Sequence, residues 1–157
     1  MRQRAKQSAG LLMFRETGQL HEVFLVHPGG PYWAKKDAGA WTVPKGEYDD
    51  GEESLGAARR EFTEETGFIA YEPFLPLGSV RQKSGKIVEA WAFRGDCDSS
   101  QLVSDTCEIE WPPRSGRHIT IPEVDRGAWF RPADALVYLR EEQRPFIARL
   151  HELLHEQ

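Results

Sequence analysis

Apolar positions along the chain recur with two different periods. Residues 8–15 (SAGLLMFR) and 21–27 (HEVFLVH) are short runs rich in apolar side chains, and they predict two strands around a turn at Glu16-Thr17-Gly18. Residues 28–40 (PGGPYWAKKDAGA) form a Gly/Pro-rich loop with two aromatics and two lysines, and 41–43 (WTV) read as a further short strand. From residue 51 the period changes. Leu55, Ala58 and Phe62 recur at i, i+3 and i+7, the apolar stripe of a helix over 51–66. Asp50 with Glu53 three residues on predicts a capping box at its start, and Gly67 suits the left-handed position past its end. Residues 74–81 and 86–93 alternate as strands joined at Ser84-Gly85. Residues 96–120 are a polar excursion, and 127–130 a last short strand. Pro132 and Pro145 each open a helix, the second with Phe146, Leu150, Leu153 and Leu154 on one face. Strands first, a helix in the middle and helices at the end imply an α+β arrangement, a mixed sheet covered on both faces.

Composition narrows the class. A chain of 157 residues and 17.9 kDa suits one domain over 1–157, large enough for a core without disulfides or structural metal. A net charge of −5 and a pI near 5.6 offer no basic footprint for general nucleic-acid or membrane-surface binding. No apolar run approaches the ~20 residues of a membrane span. Residues 1–6 (MRQRAK) are basic but lack the apolar stretch of a secretory signal. The two cysteines, Cys97 and Cys107, are too few for a disulfide scaffold and fit a reducing cytoplasm. Together with His118 they match no common zinc spacing. The expectation is a soluble cytoplasmic domain.

The middle helix carries the chemistry. Glu61, Glu64 and Glu65 stand at i, i+3 and i+4 and share one face, roughly 100° around from the apolar stripe. Like charges at this spacing repel, and a divalent cation between them reverses the sign. Oxygen ligands of this kind suit Mg²⁺ or Mn²⁺, with substrate phosphates filling other positions. Three glutamates alone would ordinarily be a solvated acidic face. Their context decides otherwise. Gly46, Glu52, Arg60, Glu61, Phe62, Glu64, Glu65, Gly67 and Phe68 match G-x5-E-x7-R-E-U-x-E-E-x-G-U at every position. Chance would produce this roughly once in 10⁸ windows at average residue usage.

That pattern resembles the Nudix hydrolase family. The resemblance implies an α/β/α sandwich with a mixed sheet and a central catalytic helix. It also implies hydrolysis of a nucleoside diphosphate linked to another group, with water attacking phosphorus and Mg²⁺ or Mn²⁺ holding the pyrophosphate. Glu61, Glu64 and Glu65 would bind metal with the Gly46 carbonyl, and Glu52 and Arg60 would form a supporting ion pair. The base is Glu61, Glu65 or a carboxylate outside the motif. For the last, Glu123 stands six residues before Trp129, a spacing similar to that of a metal-linked glutamate in related enzymes; Glu108 and Glu110 compete with it.

Substrate clues lie upstream. Trp41, Pro44, Lys45 and Gly46 resemble the W-x-x-P-K-G approach of dinucleoside polyphosphate hydrolases and diphosphoinositol polyphosphate enzymes. Lys45 would reach a phosphate. Tyr32 and Trp33, followed by Lys35 and Lys36, set ring faces beside positive charge, where a purine stacks and lysines meet a polyphosphate. Trp111 with Arg114 and Arg117 would form an opposite lip. The leading expectation is a dinucleoside polyphosphate hydrolase. A (d)NTP pyrophosphohydrolase and a catalytically silent nucleotide sensor are the alternatives, and the intact carboxylates favour an enzyme.

Overall fold

The structure, a computed structural model, describes residues 6–18 and 20–155; apart from Lys6, the basic start lies outside the described residues. Strands β1 (Gln7–Thr17) and β2 (Leu20–Pro28) pair antiparallel, from Phe14 opposite Val23 to Thr17 opposite Leu20. Strand β3 (Lys45–Glu47) is followed by helix α1 (Ser54–Thr66), then by β4 (Leu75–Arg81) and β5 (Ile87–Arg94). A separate hairpin, β6 (Thr106–Glu110) and β7 (His118–Pro122), precedes β8 (Val124–Phe130) and the helices α2 (Pro132–Tyr138) and α3 (Pro145–His155). The main sheet runs β4-β5-β1-β2-β8, with β1 and β5 parallel and the other neighbours antiparallel.

Both faces of this sheet are covered, which explains why the apolar run of β1 is continuous and not alternating. Leu11 and Met13 face α1 through a cluster with Phe24, Val26, Ala58, Phe62 and Phe93. Leu12 and Phe14 face the other way, into a cluster with Leu25, Trp41, Leu139, Phe146 and Leu150 from the side of α2 and α3. No helix is long and apolar enough to cross a membrane among the described residues.

Four sequence expectations are corrected. Residues 41–43 form no strand: Trp41 bridges Leu139 and Thr42 bridges Val26, while the Val43 N–H donates to the Gln143 side chain at 3.0 Å. Their backbone groups are divided among three partners, so no ladder forms. The helix starts at Ser54 instead of residue 51, and Glu53 at its N-cap makes no side-chain capping bond. The N-cap is therefore Glu53 and not Asp50, and Glu52, next to it, is held by Arg60. The excursion over 96–120 contains a 3₁₀ turn (Ser99–Gln101) and the hairpin, where Cys107 opposes Ile121 and Ile109 opposes Ile119. Finally, β8 begins at Val124 and not at residue 127. The helix ends as expected, with Gly67 at φ 79° and its N–H bonded to the Thr63 carbonyl at 2.8 Å.

What positions the site is the divergence of β1 and β2. The last residues of β1 pair with β2, but Ser8, Ala9 and Gly10 pair with Glu47, Gly46 and Lys45 of β3. Strand β3 is thereby held beside β1 on the edge that α1 overlies. A Cβ on Gly10 would press on the Pro44 carbonyl at 2.6 Å, so the close approach of the two backbones needs glycine there.

Candidate active site

Helix α1 buries Ala57, Ala58 and Phe62 against the sheet, and that contact sets its rotation. One turn round, Glu61 and Glu65 are carried to β3, and Glu123 arrives from the link between β7 and β8. Oxygens of Glu61, Glu65 and Glu123 all lie within 4.8 Å of one another. Glu123 is fixed by its backbone, its N–H donating to the Asp105 carbonyl at 2.9 Å and its carbonyl accepting from Gly29 at 3.0 Å.

The electrostatics follow from this crowding. Burial raises the Glu65 carboxyl to about 8, opposed by a hydrogen bond from the Lys45 backbone N–H at 3.0 Å and by the Lys45 charge. Glu61 is also raised, by burial first and against the pull of Arg60. Glu123 is raised by burial, then by Asp105 and Glu64. Three converging carboxylates that resist ionisation suit a hard divalent cation. The donor set is all oxygen, as Mg²⁺ and Mn²⁺ require. Gly46 leaves the necessary room, since a Cβ there would fall on the Glu61 carboxylate.

Arg60 organises the surroundings. Its guanidinium donates to both oxygens of Glu52 at 2.9 Å, to Glu61 at 2.8 Å and to Glu64 at 3.1–3.2 Å. Glu64 is thus paired with Arg60, outside the group formed by Glu61, Glu65 and Glu123.

Above the carboxylates lies a cleft of ≈ 470 Å³, whose lining includes Gly29, Trp33, Lys45, Gly46, Cys107 and Ile121 with the three glutamates. Burial and the neighbouring Lys86 lower the Lys45 ammonium to about 8, while Glu65 supports it. Of the aromatic loop, Trp33 reaches this cleft, whereas Tyr32 is 56% exposed and Lys35 and Lys36 stay on the surface. The ring planes of Tyr32 and Trp33 meet edge to face at 4.9 Å. The Lys36 ammonium sits 3.6 Å over Tyr32 and 5.2 Å from Trp33. Trp111, Arg114 and Arg117 belong to the turn beyond β6 and do not line the cleft.

Sequence reasoning missed Arg140 and the hairpin wall. The Arg140 guanidinium lies 5.6 Å from the Trp33 ring and bears on Lys45 electrostatically. No spacing announces it, because a long-range pairing of its N–H with the Trp41 carbonyl at 2.8 Å helps to set it beside the site. Cys107 and Ile121 did carry a signal, the alternation of TCEIE and HITIP.

Comparison with known proteins agrees with this geometry. The NUDIX domain family model matches residues 4–150. A 17.7 kDa protein from the e-segB intergenic region of Enterobacteria phage T4 is 31% identical over 121 residues, 75% of this chain and 77% of the relative. Among solved structures, a C. elegans Ap4A hydrolase binary complex aligns with TM-score 0.67 and 21% identity, over 98% of this chain and 100% of that one. The NUDIX domain of Shewanella oneidensis NrtR complexed with ADP ribose gives 0.67 and 17%, over 97% and 90%. The MutT protein of Methanosarcina mazei Go1 gives 0.65 and 20%, over 99% of both. These structures share the fold. The family match across nearly the whole chain and the unbroken run of motif residues on α1 lead to one assignment: this chain belongs to the NUDIX domain family and is a hydrolase of the Nudix type.

Proposed function

We propose that the chain is a divalent-metal-dependent pyrophosphohydrolase of nucleotides, with a dinucleoside polyphosphate as its preferred substrate. The observation that carries this reading is the convergence of Glu61, Glu65 and Glu123 in one cleft with Lys45 and Trp33. Glu61, Glu65 and Glu123 would hold Mg²⁺ or Mn²⁺, with the Gly46 carbonyl and Glu64 as further oxygen donors. An ion held there would supply charge neutralisation for pyrophosphate oxygens and a lowered pKa for the attacking water.

The chain's own groups do the rest. Arg60 holds Glu61 and Glu64 in place and ties the loop at Glu52 to α1. A Glu carboxylate, from Glu61, Glu65 or Glu123, takes the proton of the attacking water. Lys45 neutralises a phosphate oxygen beside the carboxylates, and Trp33 offers a ring face to a base. Lys36, Lys35 and Tyr32 supply the outer part of the same wall, for the phosphates and base that a longer ligand carries past the cleft.

One neighbour in fold is named an Ap4A hydrolase, which supports the dinucleoside reading; another is complexed with ADP ribose. A (d)NTP pyrophosphohydrolase is the second reading, favoured by the presence of a single aromatic side chain, Trp33, in the cleft lining. Stacking is worth about 1–3 kcal/mol per base. We therefore expect diadenosine tetraphosphate to be cleaved with higher kcat/KM than ATP in the presence of Mg²⁺, and Trp33→Ala to narrow the difference. Faster cleavage of ATP or a dNTP than of any dinucleoside polyphosphate selects the second reading.

A further inference from the structure

His27 ends the apolar run of β2 and is wholly buried. A buried imidazole must satisfy both ring nitrogens. Nδ1 faces the Asp125 carboxylate on β8 at 2.9 and 3.2 Å, and Nε2 faces the Lys36 carbonyl at 2.6 Å. One bond joins two neighbouring strands of the sheet. The other crosses to the loop that carries Tyr32, Trp33 and Lys36.

Apart from backbone bonds at the two ends of the loop, from Gly29 N–H to the Glu123 carbonyl and from Gly39 N–H to the Val137 carbonyl, that second bond has little company. Between Gly29 and Gly39, the side chains that tie this loop to the rest of the molecule by hydrogen bonds, among the described residues, act at two adjacent positions. His27 holds Lys36, and the Trp41 indole N–H donates to Asp37 at 2.7 Å. The rings of His27 and Trp41 meet edge to face at 5.3 Å. Arg126 borders the same unit, 3.2 Å from His27 Nδ1, 3.2 Å from Asp125 and 3.9 Å from Asp37. Residues 31–39, by contrast, are exposed apart from Trp33, which is partly buried. A loop with so little buried surface needs a strut if its aromatic is to stand at one place in the cleft.

We infer that His27, oriented by Asp125, is a positioning residue that fixes the 28–40 loop so that Trp33 presents a preformed wall to the nucleotide. His27 does not line the cleft and touches no carboxylate of the metal group, so it acts on substrate affinity through the loop. The inference rests on the reading of this loop as the nucleotide-binding wall.

A double-mutant cycle tests it, with Mg²⁺ and two substrates, diadenosine tetraphosphate and dGTP. His27→Ala should raise KM for the better substrate by about tenfold or more with kcat within about threefold, the pattern of lost ground-state binding. His27→Gln, which keeps an N–H for the Lys36 carbonyl, should recover part of the loss. His27→Ala combined with Trp33→Ala should be little worse than Trp33→Ala alone, because the two act through one element. Asp37→Ala, at a surface position, reads the same cycle if His27→Ala does not fold. A fall in kcat at unchanged KM, or effects of the two sites that multiply, would overturn the proposal. If Trp33→Ala raises KM while His27→Ala and Asp37→Ala do not, the wall stands and the positioning role is rejected. If Trp33→Ala changes nothing on either substrate, the wall itself is rejected, and the proposal with it.

Discussion

Arg60 serves three carboxylates with one guanidinium, and its removal should therefore be felt in more than one place. Arg60→Ala releases Glu52 and leaves Glu61 and Glu64 without their shared cation. We expect a melting temperature lower by about 2–4 °C, the response of a chain of this size to a modest destabilisation, together with weakened turnover. Thermal scans and a kcat measurement check both. Glu65→Gln is a different kind of change. The amide oxygen can still accept the Lys45 N–H, so the fold stays, while a buried carboxyl able to give up its proton to a cation is gone. Turnover should fall by about a hundredfold or more, with the metal-free melting temperature unchanged or raised. Near-normal turnover by this variant removes Glu65 from the metal group. At this scale the sequence was informative wherever chemistry fixes spacing. Glu61, Glu65 and Glu52 were legible because a helix and a loop of set length connect them. His27 and Arg140 were not, since each pairs with a backbone carbonyl outside its own element, that of Lys36 for one and that of Trp41 for the other.

The elements divide in the same way. Both long strands of the first hairpin and α1 announced themselves, because a continuous apolar run and a 3.6-residue stripe survive any context. Strand β3 did not. Its sequence, KGE, carries no apolar pattern, and it is a strand only because the start of β1 offers unpaired backbone groups there. The hairpin of β6 and β7 looks polar in sequence because alternate residues on both strands are exposed. Such a pair, outside the main sheet, keeps its small apolar face for the cleft side at Cys107 and Ile121. The closeness of β3 to α1 yields a prediction of its own. Gly46→Ala would drive a methyl into the Glu61 carboxylate, so either β3 or Glu61 must shift. Loss of metal-dependent activity, with far-ultraviolet circular dichroism preserved, is the expected result; a fully active Gly46→Ala would mean that Glu61 is free to sit elsewhere.

At the scale of the whole molecule, the proposed metal site would set protons and metal in competition for one group. Burial raises the Glu65 carboxyl in the folded chain to about 8, well above the ordinary carboxylate value of 4.5. Its contribution to stability is present below the lower value and is lost as pH rises through the upper one. Metal binding must displace that proton, so the stabilisation by added Mg²⁺ should grow between about pH 6 and pH 8. Melting curves with Mg²⁺ and with chelator, at both ends of that interval, check the trend; an increment independent of pH opposes it. The sheet order has a further consequence, for a chain emerging from the ribosome. Strand β1 lies between β2, its neighbour in sequence, and β5, where Gln7 must find Ile87 in parallel register. The motif helix can dock on β1 early, yet the sheet that supports it stays open until residue 94 has been made. The third carboxylate arrives later still, with Glu123. During synthesis, then, nascent chains that end short of Glu123 should hold Mg²⁺ weakly even when α1 and β3 are already in contact, and binding competence should be acquired abruptly, late, and from the C-terminal half.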